Sequence, residues 1–268
     1  MPQYWLRLGN FRRKGKLKRL LGSELELSEV AQPVPWEWIL GLFREFAQEV
    51  KQLRDIRALR QYLGPGAYDH FEGVVLYMII RRTRPSLLLE CSPGYGYSTL
   101  YMLAALKANG SGRLLSFEQS PTRIEKALAA ASAAGYGSLV KFIAGDARVE
   151  IPQTFKSDEL ASLDFAFIDS DHSYEFAMWY AERILRNLRD DAIIHIHDIQ
   201  AFESGEGQAL LDFMRKEKGK HRYLWCYELF NRPSFLRTVR KYWKAPLRYT
   251  YDGDSPAFYV LPSELPNS

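Results

Sequence analysis

Cysteine is scarce: Cys91 and Cys226 are the 2 present in 268 residues. So few exclude a disulfide framework, a cysteine-rich zinc site and a clustered-cysteine iron–sulfur site. Long apolar runs are missing as well. None reaches the roughly 20 residues that span a bilayer. The start has no apolar h-region of a secretory leader, so a reducing cytoplasm is the expected compartment. Internal repeats are absent, and neither sign of charge dominates, the net value being +4. What remains is ordinary globular material, 47% hydrophobic and 25% charged. That is enough apolar surface for a core without staples.

The small net charge is unevenly placed. Arg7, Arg12, Arg13, Lys14, Lys16, Lys18 and Arg19 all precede the first acidic residue, Glu24. A solvated tail accounts for such a run. So does contact with nucleic-acid phosphates or an anionic membrane surface, since leucines interleave at amphipathic spacing. Over 36–63 the apolar positions Trp36, Ile39, Phe43, Phe46, Val50 and Leu53 alternate by three and four, which predicts one helix with a narrow stripe. It either packs on the following domain or pairs with its copy in a homodimer. Leu63-Gly64-Pro65-Gly66 then breaks the chain. The boundary falls there: 1–66 is a basic tail and helical extension, and 67–268 is the main domain. A helix over 69–82 ends before Pro85.

Beyond it, short apolar runs alternate with amphipathic segments. Strands are expected at 86–90, 113–118, 140–144, 164–169, 192–198, 223–229 and 257–261, and helices at 98–109, 121–134, 174–187 and 208–218. This predicts an α/β fold, a Rossmann-like, doubly wound, seven-stranded and mostly parallel sheet with an antiparallel last strand. The segment 231–256 is an insertion between the last two strands, and its aromatic residues either cover the site or pack on the core.

The first strand runs into Glu90-Cys91-Ser92-Pro93-Gly94-Tyr95-Gly96-Tyr97-Ser98-Thr99 and a helix. Glycines there allow a positive φ and close approach of backbone to a ligand. Ser98 or Thr99 can cap the helix. Glu118 ends the second strand, where doubly wound folds place an acidic ribose ligand. A dinucleotide fingerprint wants a third glycine where Thr99 stands, and no Gly-Lys-Ser/Thr follows the turn. A carboxylate at Glu90 suits a phosphate-free cofactor with a cationic amino-acid end. The balance favours S-adenosylmethionine.

With the further segments Gly145-Asp146-Ala147, Ile168-Asp169-Ser170-Asp171-His172-Ser173-Tyr174-Glu175 and His197-Asp198, residues 87–199 resemble the class I S-adenosylmethionine-dependent methyltransferases. The similarity is greatest to the branch with an Ile-Asp-x-Asp-His-x-Tyr segment, which includes sugar O-methyltransferases. Ser92-Pro93 departs from the family pattern, where a glycine opens the loop. The resemblance implies that Glu90, Ser92, Gly94, Gly96 and Ser98 line the methionine end of the cofactor and that Glu118 holds the ribose. It implies further that Gln119 flanks the adenine, that Asp146 and Ala147 meet its edge with Asp146 accepting from the amino group, and that Asp169 adjoins the cofactor.

Ionisable residues cluster at two strand ends, Asp169, Asp171 and His172 on one and His197 and Asp198 on the other. Methyl transfer to a hydroxyl needs alignment and removal of one proton. His172 is the first choice of general base and His197 the second, since histidine titrates near neutrality. His195, two residues earlier on the strand, is expected to be more buried. Asp169 and Asp198 can alternatively hold Mg²⁺. No Asn/Asp-Pro-Pro-aromatic segment and no Pro-Cys pair is present, so amino methylation and attack on cytosine C5 lack support. The expected reaction is O-methylation of a sugar or other small metabolite. An RNA methyltransferase using the basic tail and a non-catalytic interaction module are the alternatives.

Overall fold

The computed structural model describes residues 27–53, 56, 68, 70–156, 159–199, 205–226, 229, 235, 237, 239 and 257–265. The basic run 7–19, the break at 64–66 and most of the 231–256 insertion lie outside them. The elements in order are β1 (Gln32–Pro33), α1 (Trp36–Glu45), α2 (Ala47–Gln52), α3 (His70–Thr83), β2 (Leu87–Cys91), α4 (Tyr97–Asn109), β3 (Arg113–Glu118) and α5 (Pro121–Ala133). They continue with β4 (Val140–Ala144), α6 (Ala147–Thr154), β5 (Phe165–Ile168), α7 (Tyr174–Arg183), β6 (Ile193–Ile196), α8 (Gly205–Lys216), β7 (His221–Trp225) and β8 (Phe258–Pro262).

The strands form one sheet in the order β1-β7-β8-β6-β5-β2-β3-β4. β8 runs antiparallel to both β6 and β7, and every other pairing is parallel. The mixed, mostly parallel sheet is the expected one, but among the described residues it has eight strands rather than seven. The additional strand, β1, is two residues long and pairs with the outer edge of β7. Two residues carry no period, and one of them is a proline, which a sheet admits at an edge.

Each buried strand feeds both layers. Leu88, Phe165, Phe167, Ile193 and Leu224 belong to a core shared with α1, α2, α3 and α4. Their neighbours Leu87, Leu89, Ala166, Ile168, Ile194 and Trp225 belong to a second core under α6, α7 and α8. Period-two alternation with apolar residues on both sides is what a sheet covered on both faces requires.

Within the stripe predicted for 36–63, Ile39, Phe43, Phe46, Val50 and Leu53 are buried in the core with α3, and Trp36 packs half-buried against it. Two helices carry it rather than one, because Phe46 (φ −97°, ψ 16°) leaves helical geometry between α1 and α2. The α2–α3 contact is tied by Arg81, which donates to both oxygens of Glu49 at 2.7 and 2.9 Å, and by the Tyr77 hydroxyl at 2.6 Å. Two helix boundaries move as well. The helix expected over 174–187 ends at Arg183 and passes into a tighter turn over Leu185–Asn187. α8 begins at Gly205, earlier than expected. Among the described residues no helix is long and apolar enough to cross a membrane.

From β2 the chain steps outward through β3 to β4, then returns to the other side of β2 for β5 and β6. That reversal opens a crevice beyond the carboxyl ends of β2 and β5, where ligands bind in such sheets.

Candidate active site

The loop after β2 follows a path that few side chains tolerate. Ser92 (φ 62°), Gly94 (φ 55°) and Gly96 (φ 89°) all take left-handed backbone. Ser92 therefore adopts the conformation for which the family pattern supplies a glycine, and the strain sits at the lip of a cleft. Its amide donates to Phe117 O at 2.8 Å, and its hydroxyl meets that of Ser170 at 3.0 Å. The two glycines differ in role. A Cβ on Gly94 would meet nothing within 4 Å, so this position fronts open space. One on Gly96 would lie 2.9 Å from Ala127 Cβ, so this glycine lets α5 press against the loop as α4 begins.

Beneath the loop Glu90 is wholly buried. Ser98 Oγ (2.8 Å), Thr99 Oγ1 (2.9 and 3.0 Å) and Ser116 Oγ (2.8 Å) all donate to it. Burial pushes its pKa up to about 7, against the hydroxyls, which pull it down. Ser98 and Thr99 thus brace a carboxylate instead of capping α4, whose cap is Gly96.

Glu118 closes the other side. It is 4% exposed, and its Oε1 accepts from the Ser120 amide at 2.9 Å. Its Oε2 is buried with no hydrogen-bond partner among the described residues. A buried carboxylate oxygen left bare is costly unless a ligand supplies the donor. Beside it opens a cleft of about 140 Å³, lined by Ser92, Phe117, Gln119, Ala147, Ser170 and Phe176 among others. Asp146 stands at this cleft but is otherwise engaged. It caps α6 by accepting from the Arg148 amide (2.8 Å) and takes the Arg148 guanidinium at 2.7 and 3.2 Å. The guanidinium holds its carboxyl below the usual range. Asp146 thus stands at the cleft rim in an ion pair with Arg148, its side chain still 30% exposed. α6 and Arg148 were not expected from the sequence.

The ionisable residues at the ends of β5 and β6 do converge. One donor atom each of Asp169, His172 and Asp198 lies within 4.8 Å of the other two. Asp198 takes positive φ (58°), which turns the chain as it leaves β6. Asp171 accepts from the amide and hydroxyl of Ser173, and Ser173 caps α7, so Asp171 braces a cap. His172 lies at the edge of the group with Nδ1 2.8 Å from Glu206 Oε2. That hydrogen bond raises its pKa, against partial burial.

His197 is placed differently from the second-choice base. It is 4% exposed, with Nε2 3.2 Å from Glu72 Oε2 and Nδ1 3.0 and 3.5 Å from Asp198 and Asp169. Burial pulls its pKa down, but the carboxylates of Asp169, Asp198 and Glu72 outweigh this and hold it well above the usual value. Three carboxylates thus surround the His197 ring. His195 is fully buried, stacked on Phe167 at 4.4 Å, and held neutral by burial.

Sequence reasoning missed Glu72 and Glu206. Glu72 is a lone carboxylate in the apolar run of α3, which was a readable signal. Glu206 resembles any acidic residue in the first turn of a helix.

Residues 89–199 match the family described as methyltransferase domain. Over 98 residues the chain is 32% identical to catechol O-methyltransferase of Sus scrofa, which is 37% of this chain and 52% of that protein. The chain thus spans about half the length of the curated relative it matches. Among solved structures it resembles the O-methyltransferase TomG of Streptomyces achromogenes, involved in tomaymycin synthesis and solved with S-adenosylmethionine. There the TM-score is 0.53 at 16% identity, covering 96% of this chain and 100% of the other. An O-methyltransferase from Bacillus cereus in complex with S-adenosylhomocysteine gives 0.54 at 16% identity, covering 92% and 99%. At such identity the likeness concerns the fold.

Proposed function

We propose that the chain, whose residues 89–199 match a methyltransferase domain, is a class I methyltransferase that transfers a methyl group from S-adenosylmethionine to a hydroxyl of a small molecule, a sugar or related metabolite. The observation that carries the reading is the bare Oε2 of Glu118, buried beside a loop whose Gly94 fronts open space. An adenosyl group offers two ribose hydroxyls to such an oxygen. Catechol O-methyltransferase activity in the matched relative supports a hydroxyl acceptor.

In this reading Glu118 holds the ribose, and Gln119 and Ala147 bound the adenine. Ser92 and Gly94 present backbone to the methionine end, which Glu90 underlies. The bound donor supplies an electrophilic methyl on sulfur. The protein's share is alignment and the handling of one proton. His172, at the rim and 39% exposed on its side chain, accepts that proton from the acceptor hydroxyl. Asp169 and Asp198 can also hold a divalent cation. Two carboxylates suit Mg²⁺. Such an ion would draw vicinal hydroxyls to the site and make them more acidic.

Titration calorimetry with S-adenosylmethionine and, separately, NAD tests the cofactor. Binding of the first and silence of the second are expected, and NAD binding alone overturns the reading. On a panel of hydroxyl acceptors, Asp169→Ala and His172→Ala should each abolish methyl transfer. Turnover that survives exhaustive chelation removes the cation from the account.

A further inference from the structure

Glu206 enters the site from the start of α8, an element outside the signature that the sequence displays. Its side chain is 1% exposed, and both oxygens are engaged. Oε1 accepts from the buried Tyr180 hydroxyl at 3.1 Å, and Oε2 lies 2.8 Å from His172 Nδ1. Tyr180, on α7, thereby fixes which way the carboxylate faces. Burial raises the pKa of Glu206, against the pull of His172, but once ionised its carboxylate can only accept, so the Nδ1 beside it then carries the proton and a neutral ring keeps its lone pair on Nε2. One ring nitrogen of His172 lies within 4.8 Å of donor atoms on both Asp169 and Asp198.

We infer that Glu206 is a positioning residue, which locks the orientation and tautomer of His172 so that Nε2 faces the acceptor. This builds on the reading of His172 as general base, but the test does not depend on turnover. Tyr180, Glu206 and His172 form a hydrogen-bonded chain from the core to the rim, and a wrong tautomer would present an N–H where a base is needed.

Long-range ¹H–¹⁵N correlation of the imidazoles in the full-length protein reads the tautomer directly, with His172→Gln assigning the signal. At alkaline pH, where the ring is neutral, wild-type His172 is expected as the Nδ1–H form. Glu206→Leu should lose that form in favour of the Nε2–H tautomer that free imidazole prefers. Glu206→Gln retains an accepting oxygen, so it should keep the Nδ1–H form with its proton shifted upfield. A wild-type ring already in the Nε2–H form overturns the inference. So does an Nδ1–H form that survives in Glu206→Leu. If the leucine variant does not fold, an unshifted Nδ1 proton in Glu206→Gln overturns it equally. A tautomer that follows Glu206, combined with methyl transfer that survives His172→Gln, upholds the positioning and removes the base.

Discussion

Two carboxylates at the cleft face opposite demands. Glu118 has an oxygen waiting for donors, and Glu90 has donors on every side. Glu118→Ala should weaken S-adenosylmethionine binding by about 30-fold, on the order of 2 kcal/mol for hydrogen bonds to a charged group, as read by calorimetry. Glu90 bears on stability instead. Its folded pKa of about 7 lies above its ordinary 4.5, so the fold favours the protonated form. The resulting stabilisation is complete below 4.5 and is lost as pH rises through 7. Asp169, a like charge nearby, pushes in the same direction. The shift corresponds to about 3 kcal/mol. Urea midpoints should therefore fall across this window in wild type and fall less in Glu90→Gln. Equal slopes would show that Glu90 is not the titrating group. At this scale the sequence named Glu90, Glu118, Asp169, His172 and Asp198 because each stands at a strand end. It could not show which oxygens were already taken. The engagement of Asp146 by Arg148 and the enclosure of His197 depend on side-chain directions that spacing does not carry.

Among elements, the strands with continuous apolar runs and the helices α4, α5 and α7 were legible from pattern and punctuation. Ser120 before Pro121 and Ser173 before Tyr174 are caps that a reader can find in the sequence. The failures were short or mixed elements. α6 has eight residues with Pro152 inside, and its Ala147 and Ile151 are too few to set a period. The single helix expected over 36–63 kept its apolar spacing across Phe46, since a one-residue break need not disturb a stripe. That stripe now reads as core. Phe43 is 1% exposed and stacks on Phe71 at 5.8 Å, with Phe235 edge-on at 6.1 Å. Phe43→Ala should cost about 3–5 kcal/mol, measured as a lowered urea midpoint with unchanged slope. A loss below about 1 kcal/mol would mean that α1 is not part of the cooperative unit.

For the molecule as a whole, parallel pairing puts every functional strand end on one side, so order and direction alone bring Cys91, Glu118, Ala144, Ile168 and Ile196 to the same crevice. Doubly wound topology was readable from alternation, and the reversal beside β2 followed from it. The edge strand β1 was not, because it is specified by contact with β7 and not by its own sequence. A ligand held by this crevice stabilises the entire fold. S-adenosylmethionine at a hundred times its dissociation constant should add about 2.7 kcal/mol and raise the melting temperature. Glu118→Ala should lose most of that rise at the same concentration. The position of β8 has one more consequence. This strand, 258–262, is wedged between β6 and β7, and Glu72 accepts from the Ala257 amide at its entrance. During translation, then, the edges of β6 and β7 that face β8 stay unpaired until residues 258–262 have left the ribosome. A nascent chain stopped before residue 257 should sediment with aggregates.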